Sequence, residues 1–238
     1  MNYIFDVDGT LTPSRQKIDY KFSEFFKEFC ENNDVYLVTG SDRSKTMEQL
    51  GEEIYNSCKK VYQCSGNQVY EGKRMVREVS WTITPDQETW LKNELKESKF
   101  PLRTGKHIEM RPGMVNFSTV GRGATLGERV MYVKFDDKNQ ERIKIAKRLK
   151  EKFPKLEAVV GGETGIDIFP VGRDKSQIIG DFRGPTKFYG DRMDPEGNDY
   201  PLAQVVTHMG GVSLEVVDWK HTFKLLSLDA MRQLDDRP

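Results

Sequence analysis

The sequence predicts an α/β fold, a parallel-sheet core interrupted by an inserted α+β module. Three observations predict it. Residues 2–5 are a short apolar run that ends in two acids and a glycine, the pattern of a buried strand entering a turn. Strand and helix patterns then alternate, which requires a parallel sheet with crossover helices. From about residue 79 to about residue 171 the pattern becomes antiparallel, and after that the first pattern returns.

Each element has a local reason. Ile18, Phe22, Phe25, Phe26 and Phe29 share one helical face over residues 18–32, an aromatic stripe that reads as core packing. Val35 to Val38 is a second strand, and "TGSD" leads into a helix starting near Ser44. In the inserted part, "ETWLKNELKES" is an exposed helix. "KHIEMRPGMVNFSTVGR" alternates apolar and polar residues around a Pro-Gly turn, which predicts a hairpin with one wet face. "ERIKIAKRLKEKF" is an amphipathic helix, and "EAVVGGETGIDIF" is two strands around a glycine-rich turn. Beyond residue 171 come a helix over 175–180, the strand "TKFYGD" and a final helix in "WKHTFKLLSL".

Composition narrows the class. A chain of 238 residues holds one large or two small domains with a substantial core. Charged residues at 31% and hydrophobic residues at 37% describe a soluble globular protein. Basic and acidic residues balance at 37 each, so no bulk charge draws the chain to nucleic acid or to a membrane surface. No apolar run is long enough to span a bilayer, and "MNYIF" lacks the features of a signal peptide. Cys30, Cys58 and Cys64 are odd in number and lack metal-ligand spacing, which argues against a disulfide framework and a zinc site. The expected location is therefore a reducing cytoplasm.

The two acids of "FDVDGTLT", Asp6 and Asp8, carry the chemistry. An aspartate after a strand commonly caps a turn, which accounts for one of them. A calcium loop begun at Asp6 needs glycine at its sixth position and glutamate at its twelfth, where this chain has Leu11 and Lys17. In an open parallel sheet, ligands gather at the carboxyl ends of the strands. There Asp6, beside a magnesium ion, can attack phosphorus and form an aspartyl phosphate. Asp8 can protonate the leaving oxygen, and Thr10 with the turn amides can hold phosphate oxygens. The reaction also needs a hydroxyl for the phosphoryl group, a cation and further carboxylates. Thr39 and Ser41 in "LVTGSD", Lys175 in "VGRDKSQ", and Asp191 and Asp199 in "FYGDRMDPEGND" supply them in order.

These motifs resemble the four motifs of the haloacid dehalogenase superfamily. Over residues 3–200, "FDVDGTLTPSRQKI", "GSDRSKTMEQLG", "IEMRPGMVNFSTVGR", "GIDIFPVGRDK" and "GDRMDPEGNDY" resemble the eukaryotic-type phosphomannomutase family. The resemblance implies a Rossmann-like haloacid-dehalogenase core, 1–78 and 172–238, with an α+β cap, 79–171. It implies Asp6 as nucleophile, Asp8 as acid/base, Ser41 or Thr39 on the transferred phosphate and Lys175 as its clamp. Asp6, Asp8 (through its backbone carbonyl), Asp191 and Asp199 are then the magnesium ligands. Arg111, Arg122 and Arg129 would bind the distal phosphate, Arg15 would meet substrate and Asp167 the sugar hydroxyls. The alternation places Arg111 on the strand face opposite Ile108 and Met110. The implied reaction interconverts mannose 6-phosphate and mannose 1-phosphate, with a hexose 1,6-bisphosphate as activator and a homodimer formed through the cap. A magnesium-dependent sugar-phosphate phosphatase is the alternative. Three positions depart from the family pattern: Gly165 for a serine, Arg173 in "GRDK" for a tryptophan, and Pro112 in "RPGM" for an asparagine. All three bear on the sugar more than on phosphorus.

Overall fold

Strand β1 (Asn2–Phe5) is the origin of the layout. Alternation sends Tyr3 and Phe5 to one side of the sheet and Ile4 to the other. The Tyr3/Phe5 side packs on α1 (Tyr20–Asn32), whose Phe22, Phe26 and Phe29 are the predicted aromatic stripe. Asp19 caps that helix by accepting the amides of Lys21 and Phe22. The computed structural model describes residues 1–235, with 230–235 described by backbone alone.

The chain continues through β2 (Asp34–Val38), α2 (Arg43–Leu50, capped by Asp42), α3 (Glu52–Ser57) and β3 (Lys60–Gln63). A hairpin of β4 (Gln68–Glu71) and β5 (Arg74–Glu78) follows. Next come α4 (Pro85–Glu97), β6 (Ile108–Arg111), β7 (Met114–Phe117), α5 (Leu126–Asn139), α6 (Glu141–Lys152), β8 (Leu156–Gly161) and β9 (Gly165–Pro170). The chain then makes a 3-10 helix over Lys175–Asp181, β10 (Thr186–Gly190), α7 (Tyr200–His208), β11 (Val212–Glu215) and α8 (Trp219–Asp235).

Two sheets result. The larger has the order β11-β10-β1-β2-β3-β4-β5, with β11 to β3 parallel and the β4–β5 hairpin antiparallel at one edge. Helices cover both faces, α1, α3 and α8 on one and α7 with the 3-10 helix on the other. β1 sits between β2 and β10, so the chain order reverses there and a crevice opens at the carboxyl ends. The smaller sheet has the order β6-β7-β9-β8 and is antiparallel. Its Val115, Phe117, Ile166 and Ile168 pack with Leu91 of α4 and with Ile145 and Leu149 of α6.

The structure departs from the sequence reading in several places. The sequence reading has no counterpart for α3, β3, the β4–β5 hairpin, α5, α7 or β11. The segment at 175–181 is a 3-10 helix rather than an α-helix. The hairpin face expected to be wet is covered, and every residue of β7 is buried. The reason is that this face of the smaller sheet turns onto the crevice of the larger one. Among the described residues, no helix is long and apolar enough to cross a membrane.

Candidate active site

Strand ends of the larger sheet build an acidic pole. Asp6 follows β1, its amide donating to the Tyr189 carbonyl at 2.9 Å, and Asp191 follows β10. Gly9, at φ 84°, carries the turn between them and the rest of the loop, and a Cβ there would lie 2.3 Å from Asp191 Oδ2. Glycine is required on both counts. Asp199 stands at the first turn of α7 but caps nothing, and its buried carboxylate is turned inward. Lys175 opens the 3-10 helix capped by Asp174, and its buried ammonium donates to Asp6 at 2.6 Å and Asp199 at 2.7 Å.

One lysine faces three acids, and the charge balance follows from that. Burial alone would lower Lys175, but Asp199 and Asp6 outweigh it and hold it well above its ordinary value. Burial raises Asp6, and Asp199 and Asp191 add to the rise against the pull of Lys175. Burial and then Asp199 push Asp191 up to about 7. Asp6, Asp191 and Asp199 each present an oxygen within 4.8 Å of the others. An all-oxygen donor set with unneutralised charge, held beside a bare glycine, fits a hard divalent cation such as magnesium.

Asp8 is held apart from that cluster. Its Oδ1 accepts from the Arg15 amide and, at 3.0 Å, from Gln49 Nε2, and Ser41 Oγ donates to Oδ2 at 3.5 Å. Arg15 adopts φ 60°, a strained backbone for a non-glycine, and this brings its amide to Asp8. Thr39 Oγ1 accepts the Ser41 amide at 3.1 Å, so both hydroxyls stand at the end of β2 and line the cleft. Thr10 is fully buried, and its hydroxyl has no hydrogen-bond partner among the described residues.

The smaller sheet contributes a polar row. Cross-strand pairing aligns Glu109 with Asn116 and Asn116 with Asp167 on the face turned to the crevice. Asn116 Nδ2 donates to Asp167 Oδ1 at 2.7 Å. Arg111 shares this face two residues from Glu109, opposite Ile108 and Met110. It is buried, donates to the Gly40 carbonyl at 2.6 Å, and pairs with Glu109 through Nε at 3.0 Å. Arg122 Nε lies 3.1 Å from the same carboxylate, and its carbonyl accepts from Arg15 Nη1 at 3.2 Å. Arg129, buried in the first turn of α5, reaches Ser14 Oγ at 3.1 Å and Glu163 at 2.6 Å. Burial, then Arg111 and Arg15, bring Arg122 down to about 10. Burial, then Arg129, lower Arg15 as well. This is a cationic pole with too few anions.

The two poles share one cleft. Asp6, Asp8, Thr39, Ser41 and Asp191 line one side, and Arg15, Arg111, Arg122, Arg129 and Asp167 the other. Lys175 and Asp199 lie behind Asp6 rather than on the cleft wall. Sequence reasoning missed Glu109, Asn116, Gln49, Ser14 and Glu163. Glu109 was within reach, because period two puts it beside Arg111. Among the described residues the Arg173 side chain donates only to Gln177, at 3.3 Å, and Arg173 does not line the cleft.

The fold is shared with the C-terminal domain of C. albicans trehalose-6-phosphate phosphatase, at a TM-score of 0.67 and 15% identity over 95% of this chain and 90% of that one. A trehalose-6-phosphate phosphatase related protein matches at a TM-score of 0.58 and 17% identity over the whole of both chains. A family model described as eukaryotic phosphomannomutase matches residues 22–227, and the chain belongs to that family. It is 33% identical over 214 residues to a Drosophila melanogaster phosphomannomutase, covering 84% of each chain. It is 33% identical over 213 residues to Mus musculus phosphomannomutase 1, covering 84% of this chain and 81% of that one. Asp6 and Asp8 precede the segment matched by the family model, whereas the arginines from 111 to 129, Lys175, Asp191 and Asp199 lie within it.

Proposed function

We propose that the protein interconverts mannose 6-phosphate and mannose 1-phosphate, with residues 79–171 acting as a cap over the core. The observation that carries this reading is the pairing of an acidic pole and an arginine pole across one cleft. A mutase needs two phosphate sites, one where the group is transferred and one where the other phosphate rests. A phosphatase needs only the first.

In this reading an Asp6 oxygen forms the bond to phosphorus as the bond to the donor oxygen of a hexose 1,6-bisphosphate breaks. Asp8 gives a proton to the departing oxygen and later takes one from the attacking sugar hydroxyl. Its separation from the acidic cluster suits that task, since two acids in different surroundings can play different roles. Lys175 holds Asp6 in place, and Ser41 with Thr39 receives the phosphoryl oxygens. Asp6, Asp191, Asp199 and the Asp8 backbone carbonyl would hold magnesium, whose chemistry there is to neutralise charge between carboxylate and phosphate. Arg15, Arg111, Arg122 and Arg129 hold the distal phosphate while the sugar reorients, and Asp167 holds its hydroxyls. Contacts between the sheets, such as Arg111 to Gly40 and Arg129 to Ser14, keep water from the aspartyl phosphate.

The expected outcome with mannose 1-phosphate, magnesium and a catalytic amount of hexose 1,6-bisphosphate is mannose 6-phosphate. Release of inorganic phosphate without isomerisation would establish the phosphatase instead. A homodimer through the cap is part of the proposal. Leu126, Val130 and Met131 are exposed on α5 at spacings that share a face, and sedimentation equilibrium should return twice the chain mass.

A further inference from the structure

Gly165 and Asn116 compete for one space. A Cβ built on Gly165 would meet Asn116 Nδ2 at 2.6 Å and Oδ1 at 3.2 Å, so the carboxamide occupies the place a side chain at 165 would take. Both residues line the cleft. Asn116 is buried at 4% exposure, and its two polar atoms differ in state. Nδ2 is engaged by Asp167 Oδ1 at 2.7 Å, which fixes the orientation of the amide. Oδ1 has no hydrogen-bond partner among the described residues. A buried carbonyl oxygen without a donor is destabilising, and a native site that keeps one commonly leaves it for a ligand to satisfy. Gly165 has no Cβ, and this leaves the carboxamide its place beside the cleft. Asp167, Arg111 and Arg122, charged residues that line the same cleft, do not donate to Oδ1.

We propose that Asn116 is a specificity-determining residue whose Oδ1 accepts a hydrogen bond from one hydroxyl of the hexose phosphate, with Gly165 kept small to make room for the carboxamide. The inference rests on the mutase reading and deepens it. Asp167 and Asn116 then act as one recognition unit, the carboxylate and the carboxamide oxygen reading two different hydroxyls. A site with a buried acceptor rejects an analogue that lacks the matching hydroxyl far more strongly than a site shaped only by contact.

The test is a cycle between protein and ligand. Isomerisation of mannose 1-phosphate and of its 2-, 3- and 4-deoxy analogues is measured for the wild type, Asn116→Ala and Asp167→Asn. Activity of the wild type on mannose 1-phosphate checks the mutase reading first and separately. Asn116→Ala is expected to lower kcat/KM on the full substrate about three- to tenfold, the scale of one neutral hydrogen bond. On one deoxy analogue, and not the one singled out by Asp167→Asn, it should have no further effect, because the bond is already lost. Equal losses on every analogue, or coupling only to the hydroxyl that Asp167→Asn identifies, would overturn the proposal. Asn116→Ser replaces the alanine variant if that one fails to fold, and the same comparison is read. Gly165→Ser supplies an independent arm. It should weaken the full substrate in the wild-type background and cost less when combined with Asn116→Ala, which vacates the space.

Discussion

The two poles of the cleft are built by opposite means. The acidic pole is assembled from the ends of β1 and β10 and the first turns of two helices, all on one sheet, and its lysine is locked between two carboxylates at 2.6 and 2.7 Å. The arginine pole is gathered from a strained loop of the core, a hairpin of the smaller sheet and the start of α5. Its members rest on Glu109, Glu163 and backbone carbonyls. The acidic pole has an excess of negative charge that only a cation can settle, and the arginine pole an excess of positive charge that only an anion can. A rigid pole suits bond-making, where small displacements are expensive. A pole spread over two sheets suits a phosphate that must be released and recaptured while the sugar turns.

Breaking each pole separately should separate two functions. Asp6→Asn removes the proposed nucleophile and is expected to lower turnover about 10⁴-fold or more on any phosphate ester. Arg122→Ala should lower kcat/KM for mannose 1-phosphate about 10²-fold, the scale of a lost charge-assisted contact to phosphate. It should leave hydrolysis of a small aryl phosphate, which has no second phosphate, within about threefold. Equal losses on both substrates would mean that Arg122 serves the acidic pole, and the division between the poles would fail.

The same contrast explains what the sequence disclosed. The residues at the acidic pole follow local signals, such as an apolar run ending in Asp6 or a lysine behind the capping Asp174, and each was legible from its neighbours. Arg111 was legible through alternation in the hairpin, whereas Asp167 was singled out only by the family resemblance. Asn116 was not, because its meaning depends on a partner 51 residues away and on register between β7 and β9. Helix α5 escaped because its buried residues are Arg129, Tyr132 and Asp136 rather than an apolar stripe. Its one local signal was the capping box of Thr125 and Glu128. The hairpin face was expected to be wet because its residues are polar. They are polar, Arg111 and Asn116 among them line the cleft, and single-strand patterning cannot tell a cleft from solvent.

The acidic pole also has a pH signature near neutrality, which the arginine pole, with Arg122 brought down only to about 10, lacks, and it yields the mildest of these tests. Asp191 is raised from the ordinary carboxylate range to about 7. A raised carboxyl contributes stability that is fully present below its unfolded value and is lost as pH rises through its folded value. The metal-free protein therefore loses that contribution as pH climbs from the ordinary carboxylate range to about 7. A divalent cation binds the ionised form and must displace the proton below that pH. The rise in Tm on adding magnesium should therefore be small near pH 6, grow towards about pH 7 and level off above it, with affinity changing at most about tenfold per pH unit on the acidic side. Thermal melts with and without magnesium across this range would measure it, and Asp191→Asn should flatten the profile while weakening binding. A magnesium effect independent of pH in the unmodified protein would place the cation away from Asp191. The acidic pole would then be neutralised by Lys175 alone, leaving too much buried charge unmatched for three ionised acids.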